Sequence, residues 1–213
     1  MSAIEAIISD FGGVLTSPMA DSFRAFHQAS GIAPAAWGKA MAAIAARDGA
    51  NPLFELETGR MSEAAFLRAL AQELAGELGY PVGLDGFGEQ YFRGLHPNER
   101  LIDYMRELRR RGYRLAICSN NVREWDPLWR AMLPVDELFD VVVISAFVGS
   151  RKPERRIFEI TLEHLGVAAD AAVMIDDVEI NCTAARELAI NAVWFHCTEQ
   201  AIDEIEALIA RAS

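Results

Sequence analysis

Lysine is almost missing from this chain: Lys39 and Lys152 stand against eighteen arginines. That scarcity makes each lysine a position to weigh by itself. Basic charge as a whole is in deficit, with 20 lysines and arginines facing 31 acids for a net charge of −11. Nucleic-acid partners require a basic stripe, and none is present, so no such partner is expected. The one dense basic cluster, RELRRRGYR at 106–114, falls where a helix would end and where cations suit the helix dipole and solvent. Cysteine is confined to Cys118, Cys182 and Cys197 without CxxC spacing. This argues against a disulfide framework or a zinc site and leaves reduced, mostly buried thiols. Long apolar runs are also lacking. Stretches such as DVVVISAFVG fall far short of the roughly 20 residues a membrane span needs, and no membrane partner is expected. MSAIEAIISD carries no basic segment ahead of its apolar residues, so no signal peptide is expected and the cytoplasm is the expected compartment.

What the chain does have is length and alternation. Its 213 residues suffice for one compact domain with a sizeable core, or for a core carrying a smaller insert. Residues 3–9 form a short apolar run that suits a buried parallel strand. Residues 18–97 then read as helices at 19–30, 34–48, 61–79 and 86–95, punctuated by Pro34, Pro52, Gly59 and Pro81. From residue 98 the texture changes. A helix at 98–112 with Asn98 as its cap is followed by a strand at 113–119, and a helix at 122–133 by a strand at 139–145. A helix at 153–166 with proline in its first turn precedes a strand at 171–177, a helix at 179–190, a strand at 192–197 and a closing helix at 199–213. Repeated βα of this kind predicts an α/β fold: a doubly wound parallel sheet whose ligand sits outside the carboxyl ends of the strands.

At those ends stand Asp10, then Ser119 and Asn120, then Lys152 in VGSRKPE, then Asp176 and Asp177. Three carboxylates near one point repel each other, and in a partly dehydrated crevice they need a cation. Oxygen ligands without histidine or thiolate select a hard ion, and Mg²⁺ fits best because it binds through one or two carboxylates plus substrate phosphate. Ser119, Asn120 and Lys152 would supply donors and positive charge to a phosphoryl group, with Asp10 as the in-line nucleophile. Gly12 and Gly13 allow the sharp turn after the strand and bring backbone N–H groups close to the phosphate.

DFGGVL, ICSNN, SRKPERRIF and MIDDVEIN resemble the four ordered motifs of the haloacid dehalogenase superfamily, whose members are mostly Mg²⁺-dependent phosphatases. The resemblance implies a Rossmann-like core from 1–17 and 98–213 and a helical cap from 18–97, inserted between the first and second motifs. It makes Asp10 the nucleophile, Ser119 the phosphate-binding hydroxyl and Lys152 the charge that steadies both. Asp177 would hold the metal with Asp10 and the main-chain carbonyl of Gly12, Asp176 would join directly or through water, and Asn181 would support them. FELETGRMSEAAF resembles the cap loop that reaches into the site, which makes Glu57, Thr58, Gly59 and Arg60 specificity candidates. Links at 16–19 and 95–98, with Pro18 and Pro97, would form the hinge on which the cap closes.

One position departs from the pattern. Most phosphatases of the superfamily carry an aspartate two residues after the nucleophile as acid and base, and here that residue is Gly12. Its loss should cost roughly 10²- to 10⁴-fold for a poor leaving group and much less for an activated one. A histidine or a cap carboxylate are the open candidates to replace it. The expected function is hydrolysis of a small phosphorylated metabolite through an aspartyl-phosphate, by a monomer or homodimer. The alternatives are a binding or scaffold protein of the same fold, a dehalogenase, or a phosphonate-cleaving enzyme with Lys39 as a Schiff-base lysine. Trp125, Trp129 and Met132 read as a packed helix face, and Trp37, Phe54 and Phe66 as cap core with one aromatic near Glu57 a candidate for the pocket wall. His27, His96, His164 and His196 form no ligand pair, and His96 is the one nearest the expected hinge.

Overall fold

The computed structural model describes residues 2–212. Five strands, β1 (Ala6–Ser9), β2 (Arg114–Ser119), β3 (Val141–Ile144), β4 (Ala172–Asp176) and β5 (Asn191–Trp194), form one sheet in the order β3-β2-β1-β4-β5, every pair parallel. Each strand expected from the sequence is present, four with trimmed ends and β5 beginning one residue earlier and ending sooner than expected. β1 lies at the centre, with Ser9 in register with Ile117 on one side and Ile175 on the other. The sheet is buried on both faces because alternate side chains enter different cores. Ile7, Leu115, Ile117, Val173 and Ile175 join one cluster, while Ala6, Ile8, Ala116, Cys118 and Met174 join the other.

Among the described residues, twelve α-helices accompany the sheet: α1 (Met19–Ser30), α2 (Pro34–Asp48), α3 (Pro52–Glu57), α4 (Glu63–Leu78), α5 (Phe87–Arg93), α6 (Glu99–Arg110), α7 (Asp126–Arg130), α8 (Val135–Leu138), α9 (Ser145–Val148), α10 (Arg155–Leu165), α11 (Glu179–Glu187) and α12 (Thr198–Ala212). Leu101, Met105 and Leu108 of α6 pack on the first face with Ile202, Ile205 and Ile209 of α12. Ile157 and Phe158 of α10 and Ala185 of α11 cover the second. Asn98 caps α6 as its position predicts, accepting from the Leu101 N–H, while its side-chain amide donates to the Val14 carbonyl at 2.9 Å.

Two prolines behave differently from their sequence reading, and a third splits an expected helix. Pro52 starts α3 instead of breaking the chain, because an N1 proline gives up no intrahelical hydrogen bond and Asn51 caps the turn. Pro153 lies in the turn before α10, which begins at Arg155 with Glu154 at its N-cap. The helix expected over 122–133 is split into a 3₁₀ turn at Arg123–Trp125 and the short α7, with Pro127 in the first turn of α7.

α1 to α5 form a helical insert between β1 and β2, with α2 packed on α4 and α1 on α5. Its two links to the sheet pair with each other. Thr16 bridges Pro97 in antiparallel sense, the Ser17 N–H donates to His96 O at 2.8 Å, and the Asn98 N–H donates to Leu15 O at 2.9 Å. An aromatic stack crosses from the insert to the sheet. Trp37 faces Phe87 at 5.4 Å between ring centres, and Tyr91 faces Trp125, from the loop after β2, also at 5.4 Å. Among the described residues, no helix is long and apolar enough to cross a membrane.

Candidate active site

Asp10 follows the last residue of β1, and its N–H donates to Ile175 O at 2.9 Å, which pins the carboxylate at the junction of β1 and β4. Parallel sheets open a crevice at such a junction, where the connections run to opposite sides. Lys152 reaches into it from the loop after α9. Its ammonium lies 2.8 Å from Asp10 Oδ1 and 2.6 Å from Asp176 Oδ2, and the side chain is 1% exposed. Asn120 holds the lysine main chain: the Lys152 N–H donates to Asn120 Oδ1 at 2.7 Å and Asn120 Nδ2 donates to Lys152 O at 2.9 Å. The side-chain amide of Asn120 is therefore spent on placing Lys152, while the residue itself still lines the cavity where its main-chain N–H was expected to serve.

Asp176 is fully buried, and its other oxygen accepts from the Val178 N–H and from Asn181 Nδ2, each at 2.9 Å. Asp177 is half-buried beside Gly13. A Cβ built on Gly13 would meet Asp177 Oδ2 at 2.3 Å with φ at +81°, so only glycine fits there without displacing the carboxylate. Asp10, Asp176 and Asp177 each bring an oxygen within 4.8 Å of the others. Burial pushes Asp10 up to about 7, with Asp176 and Asp177 adding to the rise and Lys152 opposing it. Burial works against the charge on Lys152, but Asp10 and Asp176 outweigh it and hold the ammonium above its ordinary range. One ammonium against three carboxylates leaves an excess of negative charge, and an all-oxygen donor set of this size fits a hard divalent cation.

Above these groups lies a cavity of about 340 Å³ between sheet and insert. Ser119 opens onto it, and its hydroxyl has no hydrogen-bond partner among the described residues. Glu57, at the end of α3, enters from the insert and accepts from Arg151 Nε at 2.8 Å, both side chains being 15% exposed. Arg151 also lies over the Phe54 ring at 3.8 Å. Burial raises the Glu57 carboxyl, and Arg151 counters it. The other three candidates of that loop do not line the cavity. The Thr58 hydroxyl donates to Phe54 O at 2.6 Å, and Arg60 pairs with Glu55 at the surface. Gly59 sits so close to α9 that a Cβ would meet Ala146 O at 2.4 Å. A left-handed turn at Gly59 (φ +69°) carries the chain away from the cavity, so of 57–60 only Glu57 points inward.

Trp125 is core and also cavity wall, its indole N–H donating to Glu63 of the insert at 2.6 Å. None of the four histidines lines the cavity. Lys39 pairs with Glu77 on an exposed face of α2, far from a desolvated Schiff-base setting. A Cβ on Gly12 would fall 2.4 Å from Met19 Sδ, which fills the space a side chain at that position would use. Sequence reasoning passed over Arg151, Met19 and Tyr91, and read Trp125 only as part of a packed helix face. Arg151 was detectable, since it adjoins Lys152 in the third motif. The others are ordinary apolar-periodic positions. A wider hollow of about 650 Å³ beside α4 and α5 contains none of the carboxylate–lysine cluster.

Acidic groups at adjacent strand ends, a buried lysine between them and a helical insert overhead define the capped, doubly wound α/β hydrolases. More narrowly, the chain belongs to the haloacid dehalogenase-like hydrolases, whose family model matches residues 4–188. It is 33% identical over 108 residues, 49% of this chain, to a glyceraldehyde 3-phosphate phosphatase of Pyrococcus abyssi. The match takes in 43% of that relative, so the chain spans less than half of its length. A HAD-like family hydrolase of Porphyromonas gingivalis superposes with a TM-score of 0.72 at 26% identity, covering 98% of each chain. A HAD family enzyme of Bacteroides thetaiotaomicron, solved with magnesium and inorganic phosphate, shares the fold with a TM-score of 0.66 at 22% identity over 89% of this chain and 93% of that one.

Proposed function

We propose that this chain is a Mg²⁺-dependent phosphatase acting on a small phosphorylated metabolite through an aspartyl-phosphate at Asp10. The observation that carries the reading is the contact of Lys152 with both Asp10 and Asp176 at the strand ends, 2.8 and 2.6 Å away, with Asp177 alongside. The phosphatase name of the Pyrococcus abyssi relative and the magnesium and phosphate held by the Bacteroides neighbour support it. Residues 1–17 and 98–213 act as the catalytic core in this reading, and 18–97 as the cap.

Asp10 attacks phosphorus in line, and the leaving oxygen departs toward the cavity. Lys152 and the free Ser119 hydroxyl donate to the phosphoryl oxygens. Asp10 and Asp177 would hold the metal, with Gly12 O as a further ligand and Asp176 and Asn181 behind them; the ion supplies positive charge to a dianionic substrate. Water then cleaves the acyl phosphate, its protons leaving with the inorganic phosphate and Asp10 returning as carboxylate. The insert shields the crevice from bulk water. A cytoplasmic location belongs to the same reading, because free Cys118, Cys182 and Cys197 persist under reducing conditions.

The test is phosphate release from phenyl phosphate, glyceraldehyde 3-phosphate and sugar phosphates, with Mg²⁺ and with EDTA, alongside Asp10→Asn. Release should require Mg²⁺ and fall on the order of 10⁴-fold or more in the variant. A folded, Mg²⁺-binding protein that releases nothing from any ester would mark a binding protein instead.

A further inference from the structure

Hydrolysis at Asp10 leaves one requirement unmet: the oxygen that departs from phosphorus needs a proton unless it is stable as an anion. Gly12 supplies none. A Cβ at position 12 would stand 2.4 Å from Met19 Sδ, so the methionine occupies the room that an acid there would use. The donor has to come from another wall of the cavity.

The ionisable groups of the lining narrow the choice. Asp10 is the nucleophile, Asp177 belongs to the carboxylate cluster, and Lys152 is held as an ammonium by Asp10 and Asp176. Arg151 does not give up its proton. Tyr91 donates its hydroxyl proton to Met19 Sδ at 2.9 Å, and burial, aided by the Glu57 and Asp10 carboxylates, holds it above its ordinary range. No histidine lines the cavity. Among the described residues of the lining, Glu57 is the carboxyl left over.

Its setting suits an acid. Glu57 ends α3 and enters the cavity from the insert, the side toward which the leaving oxygen departs. Its Oε2 accepts from Arg151 Nε at 2.8 Å, which fixes the carboxyl, while Oε1 has no partner among the described residues. The Lys152 ammonium that touches Asp10 also acts on Glu57, and Tyr91 of α5 feels both carboxylates, so the two share one small space. Burial raises the Glu57 carboxyl from its ordinary 4.5 and outweighs both cations that face it, Arg151 and Lys152. A carboxyl moved toward neutral pH in this way holds a proton and can still release it.

Resting on the phosphatase reading above, we infer that Glu57 is the catalytic acid of the first half-reaction, donating a proton from Oε1 to the leaving oxygen of the ester. The Asp10–phosphorus bond forms as the phosphorus–oxygen bond breaks, and the electron pair left on that oxygen takes the Glu57 proton. The alcohol departs neutral. Glu57, left as carboxylate, takes a proton back from solvent before the next turnover. The insert thus supplies chemistry as well as cover.

Two esters of similar ring size test this. Phenyl and cyclohexyl phosphate differ in their leaving groups, a phenol of pKa about 10 against an alkanol of pKa about 16, close to that of water. Glu57→Gln keeps an oxygen within reach of Arg151 Nε and loses the proton. It should lower kcat/KM for cyclohexyl phosphate by about 10²-fold or more and for phenyl phosphate by far less, so that the ratio of the two widens about tenfold or more. Glu57→Asp, whose carboxyl is one methylene shorter, should widen it less. Equal losses on both esters would mean that Glu57 only holds Arg151 and the insert in place. That result, or an undiminished rate on cyclohexyl phosphate, overturns the inference and leaves the phosphatase reading standing. Failure of the phosphatase reading is seen separately, as no Mg²⁺-dependent release from either ester by the native protein, and it removes the acid with it.

Discussion

At the scale of single residues, the pair formed by Glu57 and Arg151 shows how a charge survives in an apolar wall. Burial raises the Glu57 carboxyl from its ordinary 4.5, and the guanidinium 2.8 Å away limits that rise. Arg151→Met leaves the carboxylate without its partner, so its pKa climbs further. A raised carboxyl binds its proton more tightly in the folded state, so stability falls as pH rises past the unfolded value. The variant should therefore match the native protein near pH 4 and lose about 1–3 kcal/mol by pH 7, measured by urea unfolding across that range. A pH-independent loss would mean that Arg151 contributes only its contact with Phe54. The positions of Asp10, Ser119, Asp176 and Asp177 were legible because each stands at a strand end, and that of Lys152 because it lies in the loop that follows the third strand's short helix. The inward turn of Glu57 and the outward turn of Arg60 were not legible, since Gly59 decides them through its close approach to Ala146.

Among the elements, α6 and α12 are joined across one face of the sheet by a polar clasp at their solvent edge. Tyr104 donates to Glu206 Oε1 at 2.7 Å, and Arg111 holds both oxygens, the longer contact being 3.1 Å. The arginine hydrogen bonds draw the Glu206 carboxyl below its ordinary 4.5. A lowered carboxyl contributes stability that is complete above the unfolded pKa and disappears as pH falls through the folded value. Glu206→Gln should cost about 1 kcal/mol at pH 7, solvent at the half-exposed pair holding the figure down, and less at pH 3. Chemical denaturation at the two pH values checks both. The five strands were legible because parallel strands buried on both faces read as short continuous apolar runs. Helix α3 was not: Pro52 has the same appearance in sequence whether it ends one element or begins the next.

Across the whole molecule, the insert and the sheet share one apolar core. Ile44 and Leu70 of the insert belong to the same buried cluster as Leu101 and Ile117 beside and within the sheet. Calorimetry should accordingly show a single cooperative unfolding transition. Leu70→Ala, which removes a fully buried side chain, should lower that one midpoint by on the order of 10 °C, given about 2–5 kcal/mol for the cavity and a chain of this size. Two separate transitions, with only one shifted, would mean that the insert folds by itself. Period and spacing along the chain determined the sheet, the helices flanking it and the carboxylates and lysine at its carboxyl edge, since these depend on neighbours within a few residues. Only the tertiary structure decided what faces them. Arg151 meets Glu57 across 94 residues, Trp125 closes an aromatic stack begun in α2, and Met19 fills the space beside Gly12. The physical reason is that an apolar side chain has the same signature in sequence whether it packs in a core or lines a cavity, and the folding of the insert over the sheet makes the difference.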